Sequence, residues 1–344
     1  MKKRSMIILS LMLFALCGLL LTGCGQSAKT GPQKVAVLFT DASDSWRRNA
    51  AALHDALVKD GAEADVRFAS SAKEQIDQLR KAIAGKADVI ILGAVDAGAL
   101  RDPLEDARRQ NIPIIAYDRL ITNSNAVSYY VAYDGKEIGR AQARALEKGL
   151  RLKELAGSAN IELFAGDRRD DNSHLFFEGA MEILKPYLAS GRLVVPSGQK
   201  TFAEVTISDW ARDNAKARMK RILATDYADG RQLHAVLSPN DNLAGGIREA
   251  LDEDYKGDWP FITGLDMDPE ALRAIAADRQ GMTVDKPPSP LIKKCRALLR
   301  DLRSGSVDTK DAVKVNNGII EVPSFLCLPV TIDKTNLDSV RTSK

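Results

Sequence analysis

The chain has 344 residues, of which 49 are Lys or Arg, 46 are Asp or Glu and three are His. Three of the basic residues lie within the first four positions, so the rest of the chain is charge-balanced and carries no electrostatic footprint for nucleic acid. Beyond the N-terminal segment about 320 residues remain, more than the roughly 250–300 that one core serves, so two lobes are expected.

The N-terminus reads as an export signal. Lys2, Lys3 and Arg4 form a basic head, and Ile7 to Leu21 is an almost unbroken apolar run, short for a membrane span. The run ends in Leu21-Thr22-Gly23-Cys24, which looks like a lipobox. Residues 1–23 are therefore expected to be removed as a signal peptide. Cys24 then carries lipid, and residues 24–34 form a small polar tether. That places the mature chain on the extracytoplasmic face of a membrane, attached through its lipid. Cys295 and Cys327 also remain in the mature chain. An oxidising compartment permits a disulfide. However, Cys295 falls in a helical pattern and Cys327 in an apolar strand, which favours two separate buried thiols.

From residue 35 the pattern alternates. Val35 to Phe39 is a short apolar run of the kind found in parallel strands buried on both faces. Trp46, Ala50, Leu53 and Leu57 form a helical stripe that stops at Gly61. Val66 to Ala69 is strand-like, Ile76, Leu79 and Ile83 are a second stripe, and Val89 to Leu92 is another buried strand. Leu100, Leu104 and Ala107 mark a third helix, and Ile112 to Tyr117 a strand. The series then restarts. Strands are expected at Ile161–Phe164, Leu193–Val195, Ala235–Leu237 and Phe261–Thr263. Helices are expected at Leu175–Leu184, Trp210–Leu223, Leu243–Leu251 and Glu270–Ala277. Two such series predict an α/β protein of two lobes, each with a parallel sheet covered by helices.

Ligands of open parallel sheets sit beyond the carboxyl ends of the strands. Those positions are rich in polar planar groups here. Asp41, Asp44 and Trp46 follow the first strand, Asp96 the third, and Asp118 with Arg119 the fourth. In the second series Asp167, Asp170, Asp171 and Asn172 follow Phe164. Asn240 and Asp241 follow Leu237, and Asp266 follows Thr263. Carboxylates accept, carboxamides do both and cations donate, which suits the hydroxyls of a polyhydroxy ligand. Trp46 and Trp210 offer apolar faces for the C–H side of a sugar ring. Each residue also has a plainer role: an Asp after a strand is equally a helix N-cap, and a Trp is equally a core residue.

Several blocks make the pattern specific. They are Tyr117-Asp118-Arg119-Leu120-Ile121, Val127-Ser128-Tyr129-Tyr130, Ile161 to Gly166, and Gly179-Ala180-Met181 running into Leu184-Lys185-Pro186-Tyr187. Val236 to Asp241, Thr283-Val284-Asp285-Lys286, Asn316-Asn317-Gly318 and Val322-Pro323-Ser324 complete the set. In this order, from about residue 35 to 337, they resemble the periplasmic sugar receptors of the xylose-binding and multiple-monosaccharide-binding group. The resemblance implies a type I periplasmic-binding-protein fold: two Rossmann-like lobes joined by a three-stranded hinge, with crossings near Tyr133, Asp285 and Phe325. The N-terminal lobe would comprise residues 35–133 and 285–324, and the C-terminal lobe residues 134–284 and 325–340.

Carried over by position, the resemblance implies sugar contacts at Trp46, Asp96, Asp118 and Arg119 in the first lobe. Asp170, Asn172, Trp210, Asn240 and Asp266 follow in the second, with Lys286 at a crossing. It implies no cofactor and no metal. The partners it implies are a monosaccharide such as xylose or glucose and the permease of an ABC transporter. A membrane sensor kinase that reads the sugar-bound form is the alternative destination. Two departures bear on which sugar fits. The relatives usually carry Arg where this chain has Ser45, and Asn where it has Asp171.

An exported glycoside hydrolase is the rival of another class, since carboxylates are abundant. Against it, His54, His174 and His234 match no zinc spacing and no Gly-x-Ser-x-Gly elbow occurs. His54 is expected at the surface, and His174 is a candidate for the edge of the site. A DNA-binding repressor built on this core would need a helix-turn-helix where the export signal stands.

Overall fold

The computed structural model describes residues 31–40 and 43–338. The signal-like segment, Cys24 and Asp41 lie outside the described residues. In chain order the elements begin with β1 (Lys34–Thr40), α1 (Asp44–Lys59), β2 (Glu63–Ala69), α2 (Ala72–Ala84), β3 (Val89–Leu92), α3 (Arg101–Arg109), β4 (Ile114–Tyr117) and β5 (Val127–Tyr133). Next come α4 (Gly135–Gly149), β6 (Ala159–Leu163), α5 (Asp171–Ala189), β7 (Leu193–Val194), α6 (Phe202–Val205), α7 (Arg212–Asp226), β8 (Ala235–Leu237), α8 (Asp241–Asp254), β9 (Phe261–Ile262) and α9 (Pro269–Ala276). The chain closes with β10 (Met282–Asp285), α10 (Pro288–Ser304), β11 (Val313–Asn316), β12 (Glu321–Cys327) and β13 (Val330–Asp333).

Two sheets carry the architecture. The first has the order β11-β12-β5-β4-β3-β1-β2 and is parallel except at β11. The second, β7-β6-β8-β9, is parallel throughout. Val35–Phe39 is apolar on both faces because β1 has a strand on each side and helices above and below. Leu53 and Leu57 of α1 and Leu298 of α10 fill one face of the first sheet, while Leu79 of α2 and Leu104 of α3 fill the other. The second sheet repeats the scheme, with α4 and α5 on one face and α7 and α8 on the other. The chain is thus a two-lobed α/β protein.

The connections between the sheets lie side by side. The chain leaves the first sheet after Tyr133, and Asp134 N–H donates to the Cys327 carbonyl at 2.9 Å, where β12 leaves the same sheet. β10 and β13 form an antiparallel ribbon of their own (Met282 opposite Asp333), and β10 runs on into α10, which packs on the first sheet. β12 stays paired with β5 through Cys327, two residues beyond the expected crossing at Phe325.

Some local expectations change. The stretch from Trp210 is not one helix. Ser208–Trp210 is a short 3-10 turn, and α7 starts only at Arg212. Asp209 and Trp210 take left-handed backbone (φ 59° and 52°), which a right-handed helix cannot include. Helix α4, absent from the apolar stripes read above, buries small residues against α5. A Cβ on Gly139 would overlap the carbonyl of Phe176, so only glycine permits the two helices to approach this closely. Both remaining cysteines are free thiols. Cys295 is buried as expected, whereas Cys327 is half-buried.

Candidate functional site

The carboxyl ends of the strands in both sheets open onto one cavity of about 760 Å³. Nine expected residues line it: Trp46, Asp118, Arg119, Asp170, Asn172, Trp210, Asn240, Asp266 and Lys286. Asp96 does not. Its carboxylate accepts the Gly98 N–H at 3.0 Å and caps the turn after β3.

At the inner end of the cavity the charges interlock. Arg119 Nε, from the loop after β4, lies 3.0 Å from Asp170 Oδ2, from the loop after β6. Asn172 Nδ2 donates to the Asp118 carbonyl at 3.0 Å, and Ala97 N–H to the Arg169 carbonyl at 3.4 Å. The two lobes therefore already touch across the cleft. Lys286 Nζ, just past β10, sits 3.2 Å from Asp118 Oδ1 and 3.8 Å from Asp266 Oδ1. Burial works against the Lys286 ammonium, but Asp118 and Asp266 together outweigh it and hold its pKa above the ordinary lysine value. Burial raises the carboxyls of Asp170 and Asp266, with Arg119 and Lys286 respectively opposing the shift.

Cap and ligand roles prove compatible. Asp170 Oδ1 caps α5 by accepting the Asn172 N–H at 3.1 Å, while Oδ2 faces Arg119. Asn240 Oδ1 caps α8 through the Leu243 N–H at 2.9 Å, yet the residue lines the cavity. Trp46 is likewise both core and wall. It is 8% exposed, packs on Phe39 at 4.9 Å between ring centroids, and carries the Arg119 guanidinium 5.7 Å from its ring.

Backbone geometry marks the same places. Asp118 (φ 62°), Asp209, Trp210, Asp266 (φ 98°) and Met267 (φ 54°) all occupy left-handed space, and all but Met267 line the cavity. Such conformations persist only where the surroundings over-determine them. For Trp210 the clamp is Asp167, whose carboxylate accepts the Asp209 N–H at 2.5 Å, the Arg169 N–H at 2.8 Å and the Arg169 guanidinium at 2.7 Å. Gly166 completes the seat, since any Cβ there would enter the Trp210 ring. Trp210 Nε1 is buried with no hydrogen-bond partner among the described residues.

Residues 35–306 match the periplasmic binding protein domain. The chain belongs to the periplasmic binding protein family. This binding protein is 38% identical over 271 residues to the multiple sugar-binding periplasmic receptor ChvE of Rhizobium radiobacter, an alignment covering 77% of this chain and 76% of the relative. It is 30% identical over 332 residues to the D-xylose-binding periplasmic protein of Escherichia coli, covering 94% of each chain. A solved ABC transporter solute-binding protein of Clostridium phytofermentans, with bound β-D-glucose, superposes with a TM-score of 0.86 at 35% identity. That match covers 89% of this chain and 95% of that one.

The two departures from the family pattern fall differently in this binding protein. Ser45 lines the cavity, but Asp171 does not. His174 also stays off the lining, with its ring against Phe202 at 3.9 Å between centroids and Nε2 beside the Arg168 carbonyl. Sequence reasoning missed Asn49, Tyr117 and Asn242. Asn49 stands one helical turn beyond Trp46, and its Oδ1 accepts the Tyr117 hydroxyl at 2.6 Å. Asn242 Nδ2 donates to the Trp210 carbonyl at 2.9 Å. The signal available for the first two was spacing from residues already chosen.

The Asp167 clamp has a pH signature. Burial tends to raise its carboxyl, but Arg169 and the two backbone N–H donors outweigh this and hold it down at about 2. Its folded pKa lies below the unfolded value of about 3.9, so its contribution is complete above that value and is lost as pH falls towards 2. Asp167→Asn should therefore melt below the wild type by a constant interval from pH 5 to 7. The interval should shrink between pH 4 and 2, as read by thermal unfolding. A constant interval across the whole range would show that the clamp acts without its charge.

Proposed function

We propose that this chain is an exported, lipid-anchored receptor that closes on a monosaccharide in the interlobe cleft and delivers it to the permease of an ABC transporter. The observation that carries the reading is the convergence of two indoles and a set of buried donors and acceptors, drawn from both lobes, on one cavity. The proposed contacts are the nine lining residues from Trp46 to Lys286, without Asp96. The lobes are taken as residues 35–133 with 285–324 and residues 134–284 with 325–340. The named ligands of the relatives, xylose and glucose among them, support a neutral aldose. Asp118, Asp170 and Asp266 pair with Arg119 and Lys286, and Asp209 and Glu270 with arginines of their own, rather than standing as an acid and a nucleophile across a glycosidic bond, and the relatives are named as receptors. Attachment through Cys24 rests on the lipobox-like tetrad.

A thermal-shift panel of pentoses, hexoses and hexuronates tests the ligand. Linkage gives a stabilisation of about 2.7 kcal/mol at a ligand concentration of about 100 times Kd. Failure of every sugar, with a shift from amino acids or peptides, would refute the reading. Arg119→Ala and Asp266→Ala should each cost about 1–3 kcal/mol of binding, roughly five- to 150-fold in Kd, because each leaves buried partners unpaired. Unchanged affinity in a folded variant removes that residue from the site. Metabolic labelling with a fatty acid should tag the wild-type protein and leave Cys24→Ser untagged; a wild type that takes up no label would exclude the lipid anchor.

A further inference from the structure

Helix α8 opens with two neighbours of unlike fate. Asn240 lines the cavity, whereas Asp241 turns away from it and is 3% exposed. The Asp241 carboxylate is nevertheless tied to the loop that carries Asp266. Its Oδ2 accepts the Asp268 N–H at 3.0 Å and the Thr283 hydroxyl at 2.8 Å, and its Oδ1 accepts Gln280 Nε2 at 2.8 Å. Thr283 Oγ1 in turn accepts the Met267 N–H at 3.3 Å, and Asp241 N–H donates to the Leu265 carbonyl at 2.9 Å.

Every residue flanking Asp266 on either side is thus held by Asp241, directly or through Thr283. The N–H of Asp266 itself is bound to the Val284 carbonyl on β10 at 2.9 Å, so the same bonds fix Asp266 relative to Lys286 at the end of that strand. The loop needs such a frame because Asp266 and Met267 both hold left-handed backbone that non-glycine residues rarely adopt. The frame is itself braced. Gln280 Oε1 accepts from the Arg248 guanidinium, whose other nitrogen pairs with Glu270 on α9 at 2.5 Å.

We propose that Asp241 is a positioning residue: through Thr283 and the backbone on both sides of Asp266 it sets where the Asp266 carboxylate stands in the cleft. The inference rests on the sugar-binding reading for its effect on affinity, but not for its effect on the loop. Asp241→Asn places an amide NH2, itself a donor, opposite donors, and Thr283→Val deletes the hydroxyl bridge at similar volume. Neither change touches the cavity lining.

The test is a double-mutant cycle by calorimetric titration with D-glucose and D-xylose. Each change alone should weaken binding at least tenfold. In the Asp266→Ala background each should cost less than twofold, because the carboxylate they position is gone. Equal losses in both backgrounds would overturn the proposal, since a general structural role does not depend on Asp266. Thr283→Val keeps the cycle usable if Asp241→Asn does not fold. Crystal structures of wild type and Thr283→Val without sugar read the same claim independently. Residues 264–268 should be displaced in the variant, and an unmoved loop would overturn the proposal. Wild-type protein that takes up neither sugar, with a displaced loop in the variant, would exclude these two ligands and leave the positioning role standing.

Discussion

The cleft places three carboxylates, Asp118, Asp170 and Asp266, among two inner cations, Arg119 and Lys286. Charges removed from water are costly unless their remaining hydrogen-bonding positions are filled. The protein fills only some of them. Asp170 spends one oxygen on a helix cap and the other on Arg119. Asp266 has the more distant contact with Lys286, and Trp210 Nε1 has no partner among the described residues. A ligand rich in hydroxyls would supply the missing donors and acceptors from within the cleft. Closure and recognition would then be one event. A ligand bonded to both lobes would shift the balance by its differential affinity for the closed form.

The rest of the structure serves to hold that cluster in place. Parallel strands from two sheets end at one cleft, which delivers the loops. The loops are then fixed by side chains that never face the cavity: Asp167 beneath the Trp210 turn and Asp241 behind Asp266. Both are acidic residues just after a strand. Each accepts several donors and stabilises left-handed backbone next door. Asp167 gathers two backbone N–H groups and Asp241 one, with the Thr283 hydroxyl and the Gln280 amide, beside an unfavourable turn.

Much of the fold was legible from periodicity. The run at Val35–Phe39 and the stripe from Trp46 to Leu57 correspond to β1 and α1, because burial on two faces and on one face leave distinct patterns. Helix α4 escaped because its buried side is made of Gly135, Gly139, Gln142 and Ala143 as well as Ile138 and Leu146, and small residues leave no apolar stripe. The boundary at Trp210 was misplaced because an indole continues a helical pattern in sequence, whereas its backbone angle is set by Asp167, more than forty positions away. At the site, the residues that reach the cavity were largely legible from their position after strands. Asp96 shares that position yet caps its own turn and does not line the cavity. Whether a carboxylate faces a cleft or a local N–H is decided by the path of the next few residues, which pattern alone does not record.

The proposed receptor requires ligand and lobes to act as one unit. Small-angle scattering of the lipid-free protein, alone and with saturating D-glucose, measures this directly. A ligand that completes the buried charges from both lobes should populate the closed form and reduce the radius of gyration. The contraction should be lost when Asp170 and Asn172 are both changed to Ala, which removes the second lobe's hold on Arg119 and Asp118. Superimposable curves for free and sugar-saturated wild type would contradict closure around the ligand.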